Sequence, residues 1–191
     1  MNGLSRAVHD LVQLFEQLRS PYALMGGLAV RVYGIPRPTY DIDFTVAMER
    51  SRLAEFYQGV QALGYAVPEQ YAAGGVDRVA GMPLVKIRLY LEDRGVDVDL
   101  FLAESAYQRE ALSRRVRQDI EGRPVWIVSP EDLVLLKLVA HRPRDIADVG
   151  DVLFTQGQLD EAYLRRWAAP LGVLEELERV LAEAWSPPTP Q

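Results

Sequence analysis

A set of spaced acids and a glycine pair carry the chemistry this sequence can do. Asp41 and Asp43 are separated by one apolar residue and run into Phe44-Thr45-Val46. That pattern predicts a strand, on which alternate side chains share a face, so the two carboxylates lie about 7 Å apart at roughly 3.3 Å rise per residue. Two carboxylates on one face suit a divalent cation, although an Asp-x-Asp pair alone is more often a solvated face. Ahead of them, Tyr22-Ala23-Leu24-Met25 meets Gly26-Gly27, fourteen residues before Asp41. There the missing side chains let backbone N–H groups approach an anion as a helix begins. A Gly-Gly pair after a strand is usually a tight turn; only a phosphate cradle together with metal carboxylates points to a metal-bound nucleoside triphosphate. Later, Val96-Asp97-Val98-Asp99-Leu100-Phe101-Leu102 reads as a buried strand. Acids there are costly unless paired or bound to metal, and Asp97 and Asp99 alternate onto one face, so either completes the set.

The elements that must position these groups follow from periodicity and punctuation. Residues 5–19 space Val8, Leu11, Val12, Phe15 and Leu18 as an amphipathic helix. A short helix over 28–33 points its N-terminus at the cradle and stops at Gly34. Pro36 and Pro38 fix an extended path that holds Arg37 and Thr39 beside the carboxylates, where a guanidinium fork and a hydroxyl can meet a triphosphate. A second helix covers 49–63, an Ala- and Gly-rich loop 68–75, and two antiparallel strands 76–80 and 84–91 joined at 81–83. In the second strand Lys86, Arg88 and Tyr90 alternate with Val85, Ile87 and Leu89, a polar face opposite a core face; such a face is more often solvated than part of a nucleotide cleft, the other reading here. Asp93-Arg94-Gly95 reads as a turn. A helix over 104–117 carries Arg109, Arg114, Arg115 and Arg117, a basic run that is usually solvated. A strand follows at 125–128. Ser129-Pro130-Glu131-Asp132 is a helix start, with a serine cap and proline at N1, and Lys137 is the one charge in the apolar run that follows. Helices over 148–154, 160–167 and 171–185 form a small bundle, and 186–191 is a disordered tail.

Composition narrows the class. With 191 residues, 49% of them hydrophobic, the chain can bury one core, or a catalytic domain with a helical appendage. It has no cysteine, which excludes disulfides, thiolate metal sites and a cysteine nucleophile, so any metal is held by oxygen. His9 and His141 are isolated and read as neither ligand nor base. No apolar run reaches the roughly 18 residues a bilayer span needs, and the N-terminus is charged where a signal peptide is apolar, so a cytoplasmic protein without a membrane partner is expected. A net charge of −6 argues against generic duplex binding but not against a local basic groove.

Gly26-Gly27, the run Arg37-x-Thr39-x-Asp41-x-Asp43 and the later strand carboxylate resemble the nucleotidyltransferases of the DNA polymerase β superfamily. The resemblance is greatest to the small bacterial nucleotidyltransferase toxins of the abortive-infection type. A second block is similar to theirs, from Ser129 through Lys137 to Arg144-Asp145-Ile146-Ala147-Asp148. The resemblance implies an α/β (α+β) fold: a mixed sheet flanked by helices over 1–128, and a helical C-terminal region over 129–185 forming the far wall of a cleft. It implies two Mg²⁺ ions, or Mn²⁺, on Asp41, Asp43 and Asp99, the last preferred over Asp97 because of the apolar pair and helix that follow it. Gly26, Gly27, Arg37, Thr39, Arg144 and Asp148 are implied nucleotide-binding residues, and Lys137 an implied phosphate contact; bracing by a salt-bridge network is the alternative for Arg144, Asp145 and Asp148. The implied reaction moves a nucleoside monophosphate from a triphosphate such as ATP to an acceptor hydroxyl on tRNA or a protein, as the toxin of a toxin–antitoxin pair. An antibiotic-modifying enzyme, a catalytically silent nucleotide-binding module and a structural cation site are the competing expectations. One departure is Gly27, which stands where many superfamily members have a serine hydroxyl.

Overall fold

The computed structural model describes residues 3–91, 95–120 and 122–185. The chain divides into two compact units, with boundaries after Leu28, Arg37 and Val128, so that residues 29–37 belong with the C-terminal helices.

The first unit is built on an 8-stranded mixed sheet of order β3-β5-β6-β2-β1-β8-β7, with β4 paired to β5. Its strands are β1 (Tyr22–Met25), β2 (Asp41–Val46), β3 (Tyr65–Ala66), β4 (Asp77–Val79), β5 (Met82–Tyr90), β6 (Gly95–Leu102), β7 (Val116–Ile120) and β8 (Arg123–Ile127). Helices α1 (Gly3–Gln17), α2 (Gly26–Tyr33), α3 (Leu53–Ala62), α4 (Glu69–Ala72) and α5 (Ala106–Ser113) lie along this part of the sequence. Strict alternation divides the sheet into two faces. One carries Tyr22, Leu24, Ile42, Phe44, Val98 and Leu100, all buried. Phe15 of α1 packs there with its ring centroid 5.3 Å from both Tyr22 and Phe44, and 5.8 Å from Phe56 of α3. The opposite face carries the acids.

Several elements differ from expectation for local reasons. The second helix starts at Gly26 rather than 28, because Gly26 takes φ 65° and turns the chain directly out of β1. The 49–63 helix opens with a 3-10 turn over Arg50–Arg52, and the 68–75 loop contains α4. The β4–β5 turn is Ala80-Gly81, with φ 49° and 77°, not 81–83. The arginine-bearing helix stops at Ser113. Val116 and Ile120 instead pair with β8 across a turn in which Asp119 accepts the Gly122 N–H, leaving Arg117 on a strand opposite Trp126. The turn at 93–95 falls partly, and the 186–191 tail wholly, outside the described residues.

The second unit is helical: α6 (Pro130–Ala140), α7 (Pro143–Gln156), α8 (Glu161–Leu171) and α9 (Leu174–Trp185). Ser129 caps α6, its Oγ accepting from the Asp132 N–H at 3.1 Å, and His141 closes it in the left-handed region. α7 begins five residues before the expected 148, at Pro143, where proline at N1 suits a helix start. The Asp132 carboxylate is fully buried and accepts hydrogen bonds from Ser129 Oγ and Tyr163 Oη at 2.8 and 2.7 Å. Among the described residues no helix is long and apolar enough to cross a membrane.

Candidate active site

β2 and β6 run parallel, and their register sets Asp41 beside Asp97 and Asp43 beside Asp99. Side chains in neighbouring register positions share a face about 4.8 Å apart, and two-residue steps along each strand are about 6.7 Å, so four carboxylates form a rectangle on one side of the sheet. That side is open. Asp41 and Asp97 are exposed and Asp43 and Asp99 half-buried, so β6 does not bury its acids as its apolar sequence suggested; on their face burial begins only at Thr45 and Phe101.

Each acid already has company. The Thr39 hydroxyl donates to Asp41 Oδ1 at 2.8 Å. Lys86 Nζ, from the neighbouring β5, lies 3.1 and 2.9 Å from the two oxygens of Asp99, and Arg88 lies 3.0 Å from Asp97. Of the 21 Lys and Arg residues only Lys86 and Lys137 are lysines, and of the two Lys86 is the one paired to a strand acid.

The glycines explain how β1 and β2 meet. A side-chain carbon on Gly26 would collide with the Asp43 carboxylate, and the positive φ there is strained for any other residue. On Gly27 it would stand 2.5 Å from Thr39 Oγ1. The Asp43 carboxylate therefore lies against the start of α2, whose first N–H groups have no intrahelical acceptor. The Thr39 hydroxyl fills the space next to Gly27, the position where a hydroxyl was missing from sequence. Gly27→Ser is accordingly expected to weaken triphosphate binding about tenfold, and Gly27→Ser with Thr39→Ala to recover most of it, read by calorimetric titration. An additive double variant would contradict this.

The donors fit a hard divalent cation: they are all oxygen, they sit in adjacent register, and an anion cradle adjoins them. Among the described residues no three acidic or imidazole groups stand close enough to close such a site as they are; Lys86 holds Asp99 and Thr39 holds Asp41.

The second unit holds a separate buried ion cluster. Lys137 Nζ is 2.7 Å from Asp145 and 2.8 Å from Asp148, and Arg37 grips Asp148 through two N–H groups at 2.6 and 2.7 Å. Asp148 is 1% exposed and Lys137 7%. Burial pushes the Asp148 carboxyl up, but Arg37 and Lys137 outweigh it and hold the group below the usual aspartate range. Arg144 is exposed, and it is Arg142 whose guanidinium comes 3.7 Å from Asp145. The partners of Arg37 and Lys86 were not visible from sequence; the alternation of Lys86 and Arg88 in β5 with Asp97 and Asp99 in β6 was the available signal.

No curated protein matches the chain. Among solved structures it is similar to the antibiotic-resistance factor ANT(2″)-Ia in solution, at 18% identity and a TM-score of 0.57, covering 94% of this chain and 99% of that one. An antigenic nucleotidyltransferase-like protein from Paracoccidioides brasiliensis matches at 18% identity and 0.54, over 95% and 96% of the two chains. These likenesses show a shared nucleotidyltransferase fold. The family described as nucleotidyl transferase AbiEii toxin, type IV toxin–antitoxin system, matches residues 10–178. The chain is thus a nucleotidyltransferase and belongs to the AbiEii toxin family.

Proposed function

We propose that the protein transfers a nucleoside monophosphate from a triphosphate to an acceptor hydroxyl, on tRNA or a protein, with release of pyrophosphate. The observation that carries this is the in-register Asp43–Asp99 pair set against the Gly26-Gly27 turn. Asp41, Asp43 and Asp99 would hold Mg²⁺ or Mn²⁺, which supplies charge neutralisation at the phosphorus and a lowered acceptor pKa. The N–H groups at the start of α2 receive the leaving phosphates. Thr39 can turn its proton from Asp41 to a phosphate oxygen, and Asp99, once released from Lys86, would take the acceptor proton.

The family resemblance assigns Lys137, Arg37, Arg144 and Asp148 to the nucleotide. Their contacts support a second duty for three of them, locking α6, α7 and residues 29–37 together within their own unit. Membership of the AbiEii family supports a toxin role opposed by a cognate antitoxin. Pyrophosphate release from the four nucleoside triphosphates, with Mg²⁺ and a total RNA and protein extract, tests the reaction. Release with at least one triphosphate, abolished by chelation, is the expected result; nucleotide binding without release would favour a silent nucleotide-binding module.

A further inference from the structure

The polar face of the sheet continues past the acids. On β5, Lys86, Arg88 and Tyr90 point to the side that carries Asp99 and Asp97, with Lys86 opposite Asp99, Arg88 opposite Asp97 and Tyr90 opposite Gly95. Two-residue steps space them about 6.7 Å apart. All three are exposed, and Tyr90, at 65%, is among the most exposed large apolar side chains of the described residues. The Arg88 guanidinium rests over the Tyr90 ring, 5.5 Å from its centroid. Gly95 makes room for it, because a side-chain carbon there would collide with that guanidinium.

The strand order gives the site a direction. Gly26-Gly27 follow β1, on one side of the Asp43–Asp99 pair, and β5 borders the other. A triphosphate in the cradle leaves the β5 side for the acceptor.

We infer that the Lys86–Arg88–Tyr90 row is the acceptor surface and takes the end of a single-stranded polynucleotide, its phosphodiesters on the two cations and a base stacked on Tyr90. The acceptor role and the direction of entry rest on the nucleotidyl-transfer reading; the binding of a strand does not. A row of cations ending in an open aromatic is how single strands are held without regard to sequence. The pairs Lys86–Asp99 and Arg88–Asp97 do not block this. Their side chains are 46%/23% and 44%/57% exposed, and ion pairs so open add little stability, so a phosphate can replace the carboxylate.

The test is fluorescence anisotropy with a labelled RNA of about 8 nucleotides, within the usual site size, and its DNA counterpart, in Mg²⁺ without triphosphate. Tyr90→Ala is expected to weaken binding about tenfold, from the loss of one stacked base. Arg88→Ala should weaken it similarly and reduce the slope of log K against log salt by about 0.7. Arg166→Ala, which removes an exposed arginine lying 5.6 Å from the Trp167 ring centroid in the second unit, should leave it unchanged. Tighter binding of RNA than DNA names RNA as the strand; equal binding supports the surface for both. Equal weakening by all three variants, no effect of Tyr90→Ala and Arg88→Ala, or no binding by the unaltered protein would overturn the assignment. Pyrophosphate release without oligonucleotide binding would remove this surface and keep the transfer reaction; the reverse would do the opposite.

Discussion

Asp43→Asn is expected to cut nucleotidyl transfer by about a thousandfold or more while the melting temperature holds or rises slightly. The metals supply several kcal/mol of transition-state stabilisation, and each 1.4 kcal/mol is about tenfold in rate. Asparagine keeps the size of the side chain against Gly26 but loses the charge that a divalent cation needs. In the folded state the charge is opposed by its register neighbour Asp99 and favoured by the start of α2, two small effects that largely offset. Relief of that repulsion adds a few tenths of a kcal/mol. A loss of stability instead, on the order of 3 kcal/mol, with a matching fall in melting temperature, would mean that the acids hold a structural cation. Circular dichroism and a labelled-triphosphate assay on the same preparation separate the outcomes.

The second large effect lies in the other unit. Asp148→Ala leaves Arg37 and Lys137 without the carboxylate they share, in a place where Asp148 itself is 1% exposed. Breaking a buried pair from one side costs about 3–5 kcal/mol. At roughly 2–4 °C per kcal/mol for a chain of this size, the melting temperature should fall on the order of 10 °C. The pH dependence follows from the depressed Asp148 pKa. A carboxylate held below its unfolded value of about 4 contributes fully above that pH and loses its contribution as pH falls through the folded value. The unaltered protein should therefore destabilise more steeply below about pH 4 than the variant, in melts taken across that range; parallel curves would remove Asp148 from the account. Lys137→Met is the companion. It leaves the Arg37–Asp148 pair in place, so a rise in KM for the triphosphate with little loss of stability would assign Lys137 to phosphate, and a loss of stability with unchanged kinetics would assign it to bracing.

Much of the catalytic sheet was legible because its signals are local. Alternation over 41–46 and 95–102 marks two strands whose carboxylates share a face, and Ser129-Pro130 marks a helix start. The register that sets Asp43 beside Asp99 was not legible, because it depends on which strands become neighbours. Nor was the Arg37–Asp148 pair, whose members lie 111 residues apart. The prolines around Arg37 gave no hint that its guanidinium would close on Asp148. β7 was missed because the arginines at 114, 115 and 117 read as one helical face, while the Asp119–Gly122 turn that makes a hairpin was overlooked. The Gly27 departure became intelligible only when Thr39, twelve residues on, proved to put its hydroxyl there.

The central claim is tested most directly by incubating the protein with each α-labelled nucleoside triphosphate, Mg²⁺ and a total extract of RNA and protein, with Asp43→Asn in parallel. Label in one discrete RNA or protein band, absent with the variant, is the result expected, and it names the nucleotide and the acceptor class together. Label that persists with Asp43→Asn, or no label with any triphosphate although nucleotide binds, would contradict it.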